Sequence, residues 1–151
     1  MTGPLIPPPV QAAATGAASW FIAGRAPFAA IDTPITKLLG LGFAAAGFLI
    51  GAVAVGAFFQ AKTTVNPHAI DRASTLVTGG LYRYSRNPMY LALLLVLIGW
   101  AAHLSNLAAF APIPLFVWMI TVLQIKPEEA ALRERFGAEY DAYCNRAPRW
   151  I

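Results

Sequence analysis

Residues 38–59 form a long apolar run without a single charged side chain, and this run limits the fold more than any other feature. A helix needs about 20 apolar residues to cross a bilayer, so the run is long enough to span one. Two more runs without Asp, Glu, Lys or Arg follow at 88–104 and 106–125. Charged residues make up 12% of the chain, whereas an ordinary soluble domain has roughly 25%. We therefore expect an all-α, polytopic membrane protein.

The runs predict one membrane domain over residues 1–151, with about four transmembrane helices and a C-terminal amphipathic helix. The first predicted span is marginal because it is short, rich in alanine and glycine, and interrupted by Arg25. Pro112 and Pro114 should kink the fourth helix or delay its start. The predicted spans are about 10–30, 38–59, 88–104 and 106–125.

The second span carries a stripe of small residues that includes Gly47 and Gly51. Small residues four apart let a neighbouring helix approach closely. Packing within the bundle is the preferred interpretation, and a homodimer through the Gly47/Gly51 stripe is the alternative.

The basic residues lie mainly in the connection 60–87 and in the tail 126–151, whereas the turn 103–106 has no Lys or Arg. Lys and Arg are enriched in cytoplasmic loops, so this pattern places both polar segments in the cytoplasm. With four spans, both termini would be cytoplasmic as well. The net charge of +4 then needs no nucleic-acid partner. The single cysteine is compatible with a bacterial inner membrane.

The tail has the pattern of an amphipathic helix. Pro127, followed by Glu128 and Glu129, is typical of a helix start. Gly137 should end or bend this helix. An apolar face can lie on the membrane or over the bundle; its predicted members are Leu132, Phe136, Tyr140 and Tyr143.

Metal chemistry is not expected from this sequence. Cys144 is the only cysteine, and His68 and His103 are the only histidines. Structural metal sites draw on clusters of such residues. His68 and Asp71 are more simply loop residues than catalysts.

Three segments converge on the cytoplasmic side in this topology: 79–90, 124–135 and 146–150. They read Gly80-Leu-Tyr-Arg-Tyr-Ser-Arg-Asn-Pro-Met-Tyr90, then Glu128-Glu129, then Phe136-Gly-Ala-Glu-Tyr-Asp-Ala-Tyr143, then Pro148-Arg149. This order around a helical hairpin resembles the isoprenylcysteine carboxyl methyltransferase and phospholipid methyltransferase superfamily of membrane proteins. Asn87 stands where that family usually has His, and Ala92 where it often has Gly.

The resemblance implies an S-adenosylmethionine-dependent methyltransferase whose lipidic or apolar acceptor enters from the bilayer. The acceptor could be a prenylated cysteine carboxylate, a phospholipid amine or a thiol. The catalytic candidates are Glu128 and Arg133. By similarity the cofactor-binding residues are Tyr82, Arg86, Asn87, Pro88, Tyr90, Glu128 and Glu129, and Gln124, from the second converging segment, is also a candidate.

The chemistry of these residue types agrees with that cofactor. A glutamate can pair with its ammonium, an arginine can hold its carboxylate through two hydrogen bonds, and tyrosine rings suit adenine or a sulfonium. An amine acceptor would also need a base, which Glu128 or Glu129 could supply. Arg133 and Arg149 are weaker candidates for binding an anionic substrate or the membrane surface.

Simpler interpretations stay open at this stage. Glu128 and Glu129 could only stabilise a helix start, and Arg83 and Arg86 could bind lipid phosphates. Tyr82, Tyr90 and Trp100 could be interfacial anchors. The chain could also be a non-catalytic scaffold, a transporter-like protein or a family member that binds cofactor without turnover. A cation transporter would place an acidic residue within a span, and 38–59, 88–104 and 106–125 have none.

Overall fold

A computed structural model describes residues 6–60 and 75–151. The predictions for His68 and Asp71 lie outside these residues. The described chain is all-α, as predicted. Its helices are α1 Pro8–Arg25, α2 Pro34–Gln60, α3 Pro88–His103, α4 Ile113–Ile120, α5 Lys126–Phe136 and α6 Ala138–Cys144.

Two helical stretches are long and apolar enough to cross a membrane, namely Pro34–Gln60 and Leu107–Phe136. Only 17% and 33% of their apolar windows are buried inside the protein, whereas a core helix of a soluble protein would be mostly covered. Large side chains such as Phe48 and Phe59 project outward from α2. An exposed apolar surface of this extent requires an apolar surrounding, which agrees with integration in a membrane.

The other two predicted spans are shorter. α3 has 16 residues, fewer than the roughly 20 that an untilted span needs. α1 begins on the proline-rich segment and ends at Arg25, and a single 3-10 turn, Pro27–Ala29, follows instead of a longer helix. The helix in the predicted range 10–30 therefore ends at Arg25, and its apolar part is shorter than the predicted span.

α2 and α3 approach so closely that their contact requires glycine. A Cβ added to Gly40 would lie 2.8 Å from the carbonyl oxygen of Gly99, and one added to Gly47 would lie 2.7 Å from that of Ala92. Gly99 is equally confined, since a Cβ there would lie 2.6 Å from the nitrogen of Ala44. The small-residue stripe thus packs within the chain, as preferred. The homodimer through Gly47/Gly51 stays a prediction, although α3 already covers Gly47.

The turn after α3 closes the end of the bundle away from the tail. Ser105 adopts a positive φ of 51°, and its carbonyl accepts a hydrogen bond from the Ile31 N–H at 2.7 Å. The Asn106 amide donates to the Ala26 carbonyl at 2.8 Å. These bonds fix the α1–α2 connection to the tight hairpin that the sequence predicted. His103 stacks on Trp100, in keeping with a structural role.

The fourth helix starts late and continues into the tail. Helix α4 begins at Ile113 after a 3-10 turn, Leu107–Phe110, so the two prolines delay it as expected. A π-helical turn, Thr121–Ile125, then joins α4 directly to α5. Because the π turn is wider, the helix passes Pro127 without stopping, even though proline lacks an N–H and crowds the preceding turn.

This continuity corrects one expectation. Pro127 does lie in the first turn of α5, but α5 has no free N-terminus because helical backbone precedes it. The favourable effect of carboxylates on a helix dipole belongs to helix ends. Stabilisation of a helix start therefore does not account for Glu128 and Glu129. Gly137, with a φ of 51°, separates α5 from α6 and makes the predicted bend.

We predict that Gly40→Ala destabilises the protein, whereas Gly42→Ala does not. Alanine favours a helix by about 1 kcal/mol over glycine, but overpacking costs about 1–3 kcal/mol. The Cβ at position 40 meets backbone of α3, whereas nothing lies within 4 Å of a Cβ at position 42. Thermal unfolding in detergent measures both variants. Equal unfolding midpoints would contradict the close α2–α3 packing.

Candidate active site

The segment before α3 is shaped by a short 3-10 helix, Gly80–Arg83. Gly80 has a φ of 59°, a conformation that glycine adopts without strain. The following turn places Pro88 in the first turn of α3, where its missing N–H costs nothing. This arrangement buries Tyr82, Ser85 and Pro88 while leaving Tyr84 exposed.

Glu129 lies at the centre of an ion network. Its Oε1 accepts from Arg86 Nη2 at 2.8 Å and from Arg149 Nε at 2.9 Å, and its Oε2 accepts from Arg149 Nη2 at 2.7 Å. The side chains of Arg86 and Glu129 are each only 12% exposed. The paired carboxylate raises the pKa of Arg149 above its usual value, chiefly through the hydrogen bonds. Both oxygens of Glu129 are thus engaged by the protein itself.

The same residues bind the C-terminal tail. Arg86 Nη1 donates to the carbonyls of Cys144 and Ala147, both at 3.2 Å. The Arg86 N–H donates to the Pro148 carbonyl at 2.9 Å, and the Asn87 amide donates to the Arg149 carbonyl, also at 2.9 Å. Arg86 and Asn87 therefore fix the tail against the start of α3. A lipid-phosphate role for Arg86 does not agree with these buried contacts.

Tyr143 adds a bond between the tail and this segment. Its hydroxyl donates to the Tyr82 carbonyl at 2.7 Å, and both side chains are buried among Tyr140, Ala54 and Ala147. The sequence placed Tyr143 only on an apolar face. Its hydrogen bond was not predictable, because the acceptor is a main-chain carbonyl 61 residues away.

A second polar cluster consists of Tyr82, Tyr90 and Glu128. The Tyr90 hydroxyl donates a hydrogen bond to Glu128 Oε1. Among the described residues, the buried Tyr82 hydroxyl has no hydrogen-bond partner. Burial raises the pKa of Tyr82, and the neighbouring Tyr143 and Glu128 raise it further. Tyr82 and Tyr90 are about 5% and 6% exposed, so they are core residues rather than interfacial anchors.

An apolar groove of about 770 Å³ reaches this cluster. Tyr90 lines the groove and also donates to Glu128, so one residue borders both the apolar and the polar regions. Ala92 lies in the wall of the groove. The remaining walls come from α2, from α3 and from Pro8 and Pro9.

Two predicted site residues lie elsewhere. Arg133 is half-exposed, forms an ion pair with Asp141 at 2.8 Å and lies over the ring of Tyr140. Gln124 is fully buried, and its amide donates to the carbonyl of Ile6 at 2.8 Å. The structure thus brings together the residues from Tyr82 to Tyr90 with Glu128, Glu129 and Arg149, but neither Arg133 nor Gln124.

The helical fold and the long apolar helices define a membrane-type protein, and the buried polar cluster is its candidate site. A model of the phospholipid methyltransferase family matches residues 35–139, most of the chain. The chain therefore belongs to the phospholipid methyltransferase family. No solved structure gives a significant match.

The chain is also similar to individual proteins, two of which carry methyltransferase names. An uncharacterised protein of Haemophilus influenzae is 40% identical over 63 residues, which are 42% of this chain and all of that protein. A protein-S-isoprenylcysteine O-methyltransferase of Schizosaccharomyces pombe is 28% identical over 74% of this chain and 47% of its own length. Protein-S-isoprenylcysteine O-methyltransferase B of Arabidopsis thaliana is 33% identical over 50% of this chain and 39% of its own. The chain thus spans less than half the length of these two methyltransferases.

We predict that Glu129→Gln loosens the tail. The substitution leaves two arginines, one of them largely buried, without a counter-charge, and breaking a buried pair in this way costs about 3 kcal/mol. Thermal unfolding and limited proteolysis of the C-terminus measure the effect. Glu134→Gln, at an exposed position on the same helix, is the matched control. A Glu129→Gln variant as stable as this control would show that the ion network does not hold the tail.

Proposed function

We propose that this chain is a membrane-embedded methyltransferase that uses S-adenosylmethionine and acts on a lipidic or apolar acceptor. The observation that carries the proposal is Tyr90, which lines the apolar groove and donates to Glu128. A lipid acceptor needs an apolar channel for its chain and a polar site for its reacting atom. The family and the named relatives support the same chemistry.

The residues present fit the cofactor. Glu128 has one hydrogen-bond partner among the described residues, Tyr90, so its other oxygen can accept from an ammonium group. The unpartnered Tyr82 hydroxyl supplies a second group for a ligand. A buried polar atom left unpaired costs about 1–3 kcal/mol, which a bound ligand would recover. We assign Glu128, Tyr82 and Tyr90 to cofactor binding.

The assignment separates the two adjacent glutamates. Neighbouring residues on a helix point in directions about 100° apart. Glu128 points to Tyr90, whereas Glu129 is neutralised by Arg86 and Arg149. We therefore assign Glu129, Arg86 and Asn87 to building the site, with Pro88 setting the start of α3. Arg133 stays a weaker candidate for an anionic substrate.

S-adenosylmethionine, when bound, supplies a methyl group on a positively charged sulfur. The chain's own contribution is alignment, which can account for much of the rate of such a transfer. The apolar groove keeps water from the acceptor's reacting atom. For an amine acceptor, Glu128 is the group able to take the proton. For a carboxylate or thiolate acceptor no base is required, and the groove alone would orient the nucleophile.

Asn87 in place of the family's histidine is compatible with this function. The Asn87 amide donates to the Arg149 carbonyl, and a histidine ring N–H could make the same single bond. The position therefore requires a donor rather than a titratable group. This counts against a degenerate protein that has lost turnover because of Asn87.

The proposal includes the full topology. We infer four spans in one membrane domain, with α1 and α3 completing the two longer helices, and with the site and both termini in the cytoplasm of a bacterium. The charge pattern supports this orientation, since the turn at 103–106 is uncharged. A non-catalytic scaffold is the rival function. It has no need for a buried, unpartnered tyrosine beside a glutamate.

We predict that S-adenosylhomocysteine binds the protein in lipid nanodiscs and that Glu128→Gln weakens this binding by about 10- to 100-fold. Loss of a hydrogen bond to a charged group is worth about 1.5–3 kcal/mol. Calorimetric titration measures both proteins, and Glu134→Gln is the control because its side chain is exposed. Failure of the well-folded wild type to bind would refute the methyltransferase assignment and favour the scaffold.

We predict opposite labelling of the two ends of the bundle in intact cells. A Thr33→Cys variant without Cys144 should react with a membrane-impermeant maleimide, because Thr33 is exposed in the α1–α2 connection at the hairpin end. An Asn145→Cys variant in the same background should react only after the cells are opened. The reverse pattern would invert the proposed orientation.

A further inference from the structure

Two buried glutamines meet on one main-chain carbonyl at the start of α1. The oxygen of Ile6 accepts from the Gln11 amide at 2.9 Å and from the Gln124 amide at 2.8 Å. Gln11 is 3% exposed and Gln124 is fully buried. Gln11 comes from α1 and Gln124 from the π turn, so the carbonyl joins two elements far apart in sequence.

The arrangement leaves two buried side-chain oxygens without hydrogen bonds in the described part of the chain, which is energetically unfavourable. Both side-chain oxygens, Gln11 Oε1 and Gln124 Oε1, are buried without a partner among the described residues. An apolar side chain of similar length would avoid this penalty. The two amides therefore do not maximise stability, and what they achieve is the position of Ile6. A flip of either amide would place its side-chain oxygen against the Ile6 carbonyl oxygen. Because two acceptors repel each other, the orientation of both amides is fixed.

The segment that they hold is Ile6–Pro9. Residues 7 to 9 are all proline and lack an N–H, so this stretch has no main-chain donors of its own beyond Ile6. Its hydrogen bonds are therefore ones that its main-chain carbonyls accept. The Pro7 carbonyl binds the first turn of α1, and the Ile6 carbonyl binds the two glutamines.

This segment borders the apolar groove. Pro8 and Pro9 line the groove together with Tyr90, which also donates to Glu128. Gln124 itself is not among the residues that line it. It binds the Ile6–Pro9 segment through the Ile6 carbonyl. Displacement of Ile6 would move the two prolines and change the width of the groove beside Tyr90.

We propose that Gln124 and Gln11 are positioning residues that hold the Ile6–Pro9 segment as the wall of the acceptor groove, and so determine which apolar chains reach Tyr90. This inference rests on the proposed function for the identity of the occupant. It replaces the predicted contact of Gln124 with the cofactor. The π turn is consistent with a functional role, because π turns are frequently found at functional sites and this one contains Gln124.

The first part of the test measures a distance across the groove and needs no acceptor. Spin labels are attached at Val10→Cys and Phe59→Cys in a Cys144→Ser background, across the groove, since both positions are exposed. Pulsed electron paramagnetic resonance in nanodiscs should give one narrow distance. Gln124→Met and Gln11→Met should broaden it. Gln60→Met, the same change at an exposed helix end, should not.

The second arm measures binding. The probe is N-acetyl-S-farnesylcysteine, an isoprenylcysteine of the kind named for the relatives. In Gln124→Met its dissociation constant should rise about tenfold, the effect of one ordinary hydrogen bond, while that of S-adenosylhomocysteine stays within about twofold. Because methionine removes an unpaired oxygen, the unfolding midpoint should not fall. A purely structural role would lower the midpoint and weaken both ligands.

The outcomes separate the two proposals. A broadened distance distribution between the spin labels, together with weaker binding of the farnesyl probe alone, supports the proposal that the glutamines hold the groove wall. Unchanged distances in both methionine variants overturn it, whatever the probe does. If the wild type binds neither S-adenosylhomocysteine nor the probe, the proposed function falls, and the distance measurement alone then decides whether the glutamines hold the segment.

Discussion

The carboxylate of Glu129 holds together the parts of the molecule that form the candidate site. It binds Arg86 from the segment before α3 and Arg149 from the tail, and Arg86 in turn binds two tail carbonyls. Burying one charge without its partners would be unfavourable, so the three groups stabilise one another only as a set. The tail, the start of α3 and α5 are thereby fixed in one arrangement. Glu128, one residue earlier, is directed toward Tyr90 as a consequence.

The glycine contacts between α2 and α3 have a comparable importance for the groove. Backbone-to-backbone packing at Gly40, Gly47 and Gly99 leaves little freedom in the distance between the two helices. The groove lies along the same pair of helices, beyond Gly47, where Gly51 and Gly56 also border it. Small residues of α2 thus have two effects. They let α3 pack closely against α2, and they leave space for the groove beside the two helices.

The polar residues of the candidate site differ in whether hydrogen-bonding capacity remains for a ligand. Residues that the family resemblance implied for the cofactor divide into two groups. Some, such as Arg86 through both of its terminal nitrogens, already bind other parts of the protein, whereas Tyr82 and Glu128 have unmet hydrogen-bonding capacity. A ligand can form hydrogen bonds only where such capacity remains. Gln124 and Gln11 hold the structure in a similar way, since their amides donate to Ile6, although their oxygens are unpaired among the described residues.

The sequence by itself determined the all-α class, the long apolar helix α2, the hairpin at 103–106, the bend at Gly137 and the family. Each of these depends on local composition or on spacing along the chain. It could not determine that Glu129 binds two arginines or that Gln124 reaches Ile6, because these contacts join residues 20 to 118 positions apart, and the second is to a main-chain carbonyl, a group that every residue carries. Nor could it determine that α5 continues from α4 through a π turn, because Pro127 followed by two glutamates has the local pattern of a helix start. Only the tertiary structure decides which carbonyl meets which side chain, because packing rather than residue type sets those distances.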